Sequence, residues 1–168
     1  MERKTVKKWF WIWQFEEEEL WLNTMAQSGW VLDRVGFGRF EFVRCEPGAY
    51  TVRLEMRDQD EAYMSFMEET GAEFVGRVMK WIYFRKKTEL GQFDLFSDAD
   101  SRITHLNGVC RMLKGMGIAN LAIGVGNSVN PAIPLGWVNL LAATVLMYAL
   151  GRVEGKKEAL QRDRMLME

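Results

Sequence analysis

The side chains best suited to proton transfer, metal binding or thiol chemistry are the glutamates at 16–19, His105, Cys45 and Cys110. None has the spacing that such chemistry needs. The cysteines show no CxxC pattern and sit in unlike contexts, which suits buried or free thiols in a reducing compartment. His105 is the only histidine, and a lone histidine is usually structural or solvated. Four consecutive acids suit the positive end of a helix dipole better than a metal site. "GVGN" at 124–127 lacks the lysine and the strand–turn–helix setting of a phosphate loop. "GFGRFEF" at 36–42 approaches an RNA-recognition pattern, but Arg39 stands where the second stacking aromatic belongs. The stretch also falls on a second strand rather than a third, and Gly36 and Gly38 are expected to form a bulge. The expectation is a non-enzymatic protein with no catalytic residue, cofactor, metal or nucleic-acid partner.

The elements behind these residues emerge from an internal repeat. Displaced by 42 positions, "WLNTMAQSGWVLDRVGFGRFEF" (21–42) lies over "YMSFMEETGAEFVGRVMKWIYF" (63–84) without a gap, placing Met25 on Met67, Gly29 on Gly71 and Phe42 on Phe84. Two copies at so long a period indicate a duplicated supersecondary unit rather than a solenoid. Each copy reads as strand, helix, strand. The helices open on acids (Glu16–Glu19; Asp58, Asp60, Glu61) and end at Gly29 and Gly71, where a left-handed cap residue is needed. "EPGAY" (46–50) supplies a tight turn between the copies. This pattern predicts an α+β fold, the ferredoxin-like βαββαβ sandwich, with two helices on one face of a four-stranded antiparallel sheet.

The same alignment assigns faces. Val52, Leu54 and Met56 are expected to face the helices together with Ile82 and Phe84, and Phe10 and Ile12 take the equivalent places in the first copy. Trp9, Trp11 and Trp13 then share the opposite face with Trp81 and Tyr83. Five such rings approach the upper limit of what a monomer leaves exposed, so they form a candidate interaction face. Phe93, Leu95 and Phe96, followed by a helix striped with Ile103, Leu106, Cys110 and Leu113, are the expected cover from within the chain. Self-association or a protein partner is the alternative.

Composition sets the wider frame. The 168 residues carry 22 basic and 23 acidic side chains, so no global field favours nucleic acid. The basic start, MERKTVKK, precedes an apolar run too short for a cleaved signal and is expected to be retained. From Gly115 to Gly151 there is no charged residue. Turn formers Asn127, Ser128, Asn130, Pro131 and Pro134 divide this tract into halves suited to a two-span helical membrane hairpin, the first half short. Arg111 and Lys114 before it, with Arg152, Lys156 and Lys157 after it, place both flanks in the cytoplasm. Gly117, Gly124 and Ser128 are small enough to pack against a neighbouring span. The expected organisation is an α+β domain at 1–92, a covering or linker helix at 93–114, the membrane hairpin at 115–151 and a charged cytoplasmic tail at 152–168.

The words "FEEEELWLNTMAQSGW", "VGFGRFEF", "EPGAYTVRLE", "EETGAEFVGRVMKWIYFRKK" and "FDLFSD", over residues 7 to about 105, resemble the bacterial domain-of-unknown-function family 2812. Members often carry hydrophobic spans after the domain and tend to be encoded near PadR-like transcriptional regulators. The resemblance implies a cytoplasmic domain on a bacterial inner-membrane anchor, linked to a regulatory or stress-response system, and supplies no catalytic residues. Three functions stand as expectations: a membrane-tethered binding or regulatory module, a structural subunit of a membrane homo-oligomer, or a soluble domain whose aromatic face takes nucleic acid or another ligand.

Overall fold

The computed structural model describes residues 2–58, 60–96, 99–129 and 135–167. The chain divides into two compact units, Met1–Ser97 and Asp98–Glu168. The first contains β1 (Arg3–Lys7), a 3-10 turn (Ile12–Gln14), α1 (Phe15–Gln27), β2 (Trp30–Gly36), β3 (Arg39–Arg44), β4 (Tyr50–Met56), α2 (Glu61–Glu69), β5 (Ala72–Val78), β6 (Trp81–Lys87) and a second 3-10 turn (Thr88–Leu90). The second contains α3 (Ala99–Ser128) and α4 (Gly136–Met167).

The fold is mixed α+β, but the single four-stranded ferredoxin-like sheet gives way to two three-stranded antiparallel sheets, ordered β1–β3–β2 and β4–β6–β5. The repeating unit is therefore βαββ. A single strand over 30–44 would exceed the usual strand length; the chain instead folds back at Phe37–Gly38, and the second copy does so at Met79–Lys80. "EPGAY" links two sheets rather than closing a hairpin. The 42-residue period survives in fine detail. Gly29 and Gly71 both cap their helices at φ +82°, a conformation that favours a residue without Cβ. Both sheets also carry a register shift at equivalent places, Leu32/Arg34 and Phe74/Gly76. The bulge thus lies inside β2, while Gly38 serves the turn.

The first strand breaks the period. Arg3 stands opposite Val43, and Val52 opposite Arg85. Measured against β3 and β6, residues 8–14 are therefore an insertion between β1 and α1. The tryptophan run is that insertion: a loop and a 3-10 turn, with no sheet face at all. The strand is the polar segment before it, made by pairing with β3 rather than by any apolar pattern of its own.

Register also reverses the expected faces of β4. Leu54 pairs with Tyr83 and Glu55 with Ile82, and directly opposed residues share a face. Val52, Leu54 and Met56 therefore lie with Trp81 and Tyr83, on the side away from α2. The other face of β6 supplies Ile82 and Phe84 to a core with Met67, Ala72 and Phe93. Four adjacent residues of β6 are thereby buried or half-buried on alternating sides, as the continuous apolar run Trp-Ile-Tyr-Phe suits.

Helix α1 closes the free edge of β4. The Asn23 amide donates to the Val52 carbonyl and its oxygen accepts from the Val52 N–H, both at 2.9 Å, while Glu19 accepts from the Leu54 N–H at 3.1 Å. These side chains stand in for a neighbouring strand and remove an exposed ladder. Arg53 then ties down the segment after β6, donating to the Phe93 carbonyl at 2.9 Å and pairing with Glu19 and Asp94. Phe93 does fold back, but onto the α2 face and not over the tryptophans.

In the second unit, no helix break falls at Lys114 or Gly151. Helix α3 runs on through the expected linker boundary, and α4 continues into the charged tail. The turn expected at 127–134 falls mostly outside the described residues, since Asn130, Pro131 and Pro134 are among those not described. Among the described residues one helix, α4, is long and apolar enough to cross a membrane. The expected two-span hairpin is reduced accordingly: the apolar half of α3 is short, and glycine and asparagine dilute it. Gly117 and Gly124 are buried against α4. A Cβ on Gly117 would come within 2.5 Å of Met147, and one on Gly124 within 2.7 Å of Leu140. Ser128 donates its hydroxyl to the Gly124 carbonyl at 2.7 Å. The small residues therefore pack the chain's own helix pair.

Candidate functional site

The five predicted aromatics do not form one patch. Trp81 stacks on Phe15 at 5.2 Å. Tyr83 is buried, and its hydroxyl donates to Glu18 at 2.6 Å. Glu18 itself reaches inward from α1, and burial raises its pKa above the ordinary carboxyl value, against the opposing effect of the Tyr83 hydrogen bond. The Tyr83 hydroxyl is shifted upward by burial and by the adjacent carboxylate, so this pair is a structural contact rather than an acid–base couple poised near neutrality. Trp11 and Trp13 stack face to face at 5.2 Å, and Trp9 meets Trp11 and Phe37 edge to face at 6.1 and 4.9 Å. Trp9 and Trp11 remain about half exposed.

A second site was not anticipated. A cleft of about 570 Å³ lies between the two βαββ copies. Val43 and Cys45 of the first copy and their repeat equivalents Arg85 and Lys87 all line it, so it straddles the seam that duplication creates. Val31, Val43 and Tyr50 give it apolar surface, and Arg3, Arg44, Arg85 and Lys87 give it charge. Arg85 is engaged: it donates to the Leu32 carbonyl at 3.0 Å, pairs with Glu73 at 2.7 Å and faces Asp33 at 3.7 Å. Arg3 shares Asp33 at 3.8 Å, and Lys87 pairs with Glu89. The Arg44 guanidinium lies over the Trp30 ring at 5.1 Å and has no carboxylate partner among the described residues. Burial pushes the Cys45 thiol up despite the nearby cations, which disfavours a reactive thiolate.

The one signal for this cleft in the sequence was the repeat itself, since two copies must meet along a seam. Its lining could not be read without knowing which strands are neighbours. His105 is buried in α3, and burial with the Arg102 charge lowers its pKa to about 4, so it is neutral at pH 7. No group of three or more His, Cys, Asp or Glu side chains fit to hold a metal occurs among the described residues.

The fold and cleft define a tandem-βαββ α+β domain followed by a helical pair. The family model for a protein of unknown function, DUF2812, matches residues 14–118, and the chain belongs to that family. No curated protein and no solved structure matches it. The matched residues leave out both the exposed Trp9–Trp11 run and α4.

Proposed function

We propose that the chain is a non-enzymatic binding and regulatory module tethered to the bacterial inner membrane, and that the inter-copy cleft is its ligand site. The observation that carries this reading is the cleft itself: apolar walls from both copies with a cationic rim, in which Arg44 has no carboxylate partner among the described residues. That chemistry suits a small amphipathic molecule bearing one anionic group, whose apolar body covers Val31 and Val43 while Arg44 takes the charge in a fork geometry. A link to a transcriptional regulator gives ligand occupancy a route to a response.

Tethering rests on α4. Only 22% of its apolar window is buried within the protein, unlike the core helix of a soluble domain. Ile118, Leu121, Trp137 and Leu141 are all about half exposed or more. With Arg111, Lys114, Arg152 and Lys156 at the charged ends, the helix pair enters the bilayer tip first and keeps both termini in the cytoplasm. The homo-oligomer reading draws less support, because Gly117 and Gly124 are already occupied by α4.

The cleft is tested by titrating the detergent-purified full chain with naphthoate, an aromatic carboxylate. Saturable binding that weakens about tenfold in Arg44→Glu supports the site. Absent binding, or equal binding by both proteins, removes it.

A further inference from the structure

We infer that Trp9, Trp11 and Phe37, together with the cations of β1, form a docking surface for an anionic lipid bilayer. The surface is built by the insertion that breaks the repeat. The loop after β1 is pinned to the β2–β3 turn by the Lys8 N–H donating to the Gly38 carbonyl at 3.1 Å. Gly38 adopts φ +64°, a turn conformation that favours a residue without Cβ, and lies in van der Waals reach of the Trp9 ring. Beside this contact Phe37, 69% exposed, packs against Trp9, 51% exposed, and Trp11 follows at 48%.

Charge selects the occupant. Residues 3–15 contain Arg3, Lys4, Lys7 and Lys8 and no carboxylate. Lys7 lies opposite Arg39, whose guanidinium pairs with Glu41 at 2.8 Å, and Arg3 pairs with Asp33, so Lys4, Lys7 and Lys8 are the cations here without a carboxylate partner among the described residues. Tryptophan and phenylalanine flanked by lysines settle at the headgroup level of a membrane, with the rings at the acyl boundary and the cations among the phosphates. On the tether proposed above, which rests on the one helix long and apolar enough to cross a membrane, a bilayer is the surface available to this unit. The lipid contact goes beyond the tether: it is made by the first unit, with different residues and a different dependence on lipid charge.

The test uses the full chain in a Cys45→Ser, Cys110→Ser background, with a bimane fluorophore on Phe37→Cys or, as control, on Phe66→Cys. Phe66 is an exposed residue of α2, a helix that carries glutamates and no lysine or arginine of its own. Each protein is reconstituted into vesicles of phosphatidylcholine with or without phosphatidylglycerol, containing a headgroup-proximal nitroxide lipid. The expected result is quenching at Phe37 about threefold stronger than at Phe66 in the anionic vesicles, lost in high salt and in a Lys7→Glu, Lys8→Glu variant. Equal quenching at the two positions, or quenching at Phe37 indifferent to lipid charge, overturns the proposal. Flotation with neutral vesicles reports on the tether alone, so the two readings fail separately.

Discussion

Glu18 is a carboxyl group held where a carboxylate is disfavoured, which makes it the clearest residue-scale probe of the fold. Its pKa is raised chiefly by burial, so the folded protein binds its proton more tightly than the unfolded chain does. Stability contributed by that proton is present at low pH and is lost as pH rises from the ordinary carboxyl range through the raised value. Glutamine keeps an oxygen to accept from Tyr83 and removes the titration. Glu18→Gln is therefore expected to raise the melting temperature at pH 7, with an advantage that shrinks as pH falls toward the ordinary value of 4.5. Melting curves of the two proteins across that range check it; an advantage that grows on acidification contradicts it. Glu55 is in a related position on the α2 side, buried, with its Oε1 unpartnered among the described residues and its pKa also raised by burial.

At the scale of elements, the contact between α1 and the edge of β4 replaces the sheet continuity that the ferredoxin-like expectation assumed. Asn23 satisfies both backbone groups of Val52, so Asn23→Ala leaves a part-buried N–H and C=O without their partner. The expected cost is about 1–3 kcal/mol, read as a lower urea midpoint, together with a greater tendency to aggregate through the bared strand. Asn23→Asp, which keeps the acceptor for Val52 N–H and loses the donor, is expected to fall between the two. An Asn23→Ala protein as stable as the parent would show that the edge needs no cover.

For the whole molecule, the two units have separate surface chemistry, the first charged and folded around its sheets, the second apolar along much of its exposed length. Topology is the prediction at this scale. In the Cys45→Ser, Cys110→Ser background, the proposed topology, with the cationic flanks on one side, expects cysteines at Ser128 and Glu158 to label from opposite sides of sealed membranes. Labelling from the same side would mean that the pair lies along the surface.

The sequence by itself determined the duplication, the two helix starts at acidic residues, the glycine caps at Gly29 and Gly71, the charge-free tract, and family membership. Each is a local signal: a dipole end that attracts acids, a left-handed residue that favours glycine, a period that survives in spacing. Tertiary structure alone decided what β1 is, which way β4 faces, and where the cleft lies. Arg3–Lys7 has almost no apolar pattern and becomes a strand because β3 offers it a ladder. The alternating tryptophans satisfy a strand's period yet lie in a loop and a 3-10 turn, the ladder of β3 being taken by Arg3–Lys7. A one-residue change of register exchanges the two faces of a strand, and only the observed pairing of Leu54 with Tyr83 fixes which face is core. The cleft follows from the same cause: its walls are neighbours through hydrogen bonding and packing between copies, which no spacing along one chain encodes.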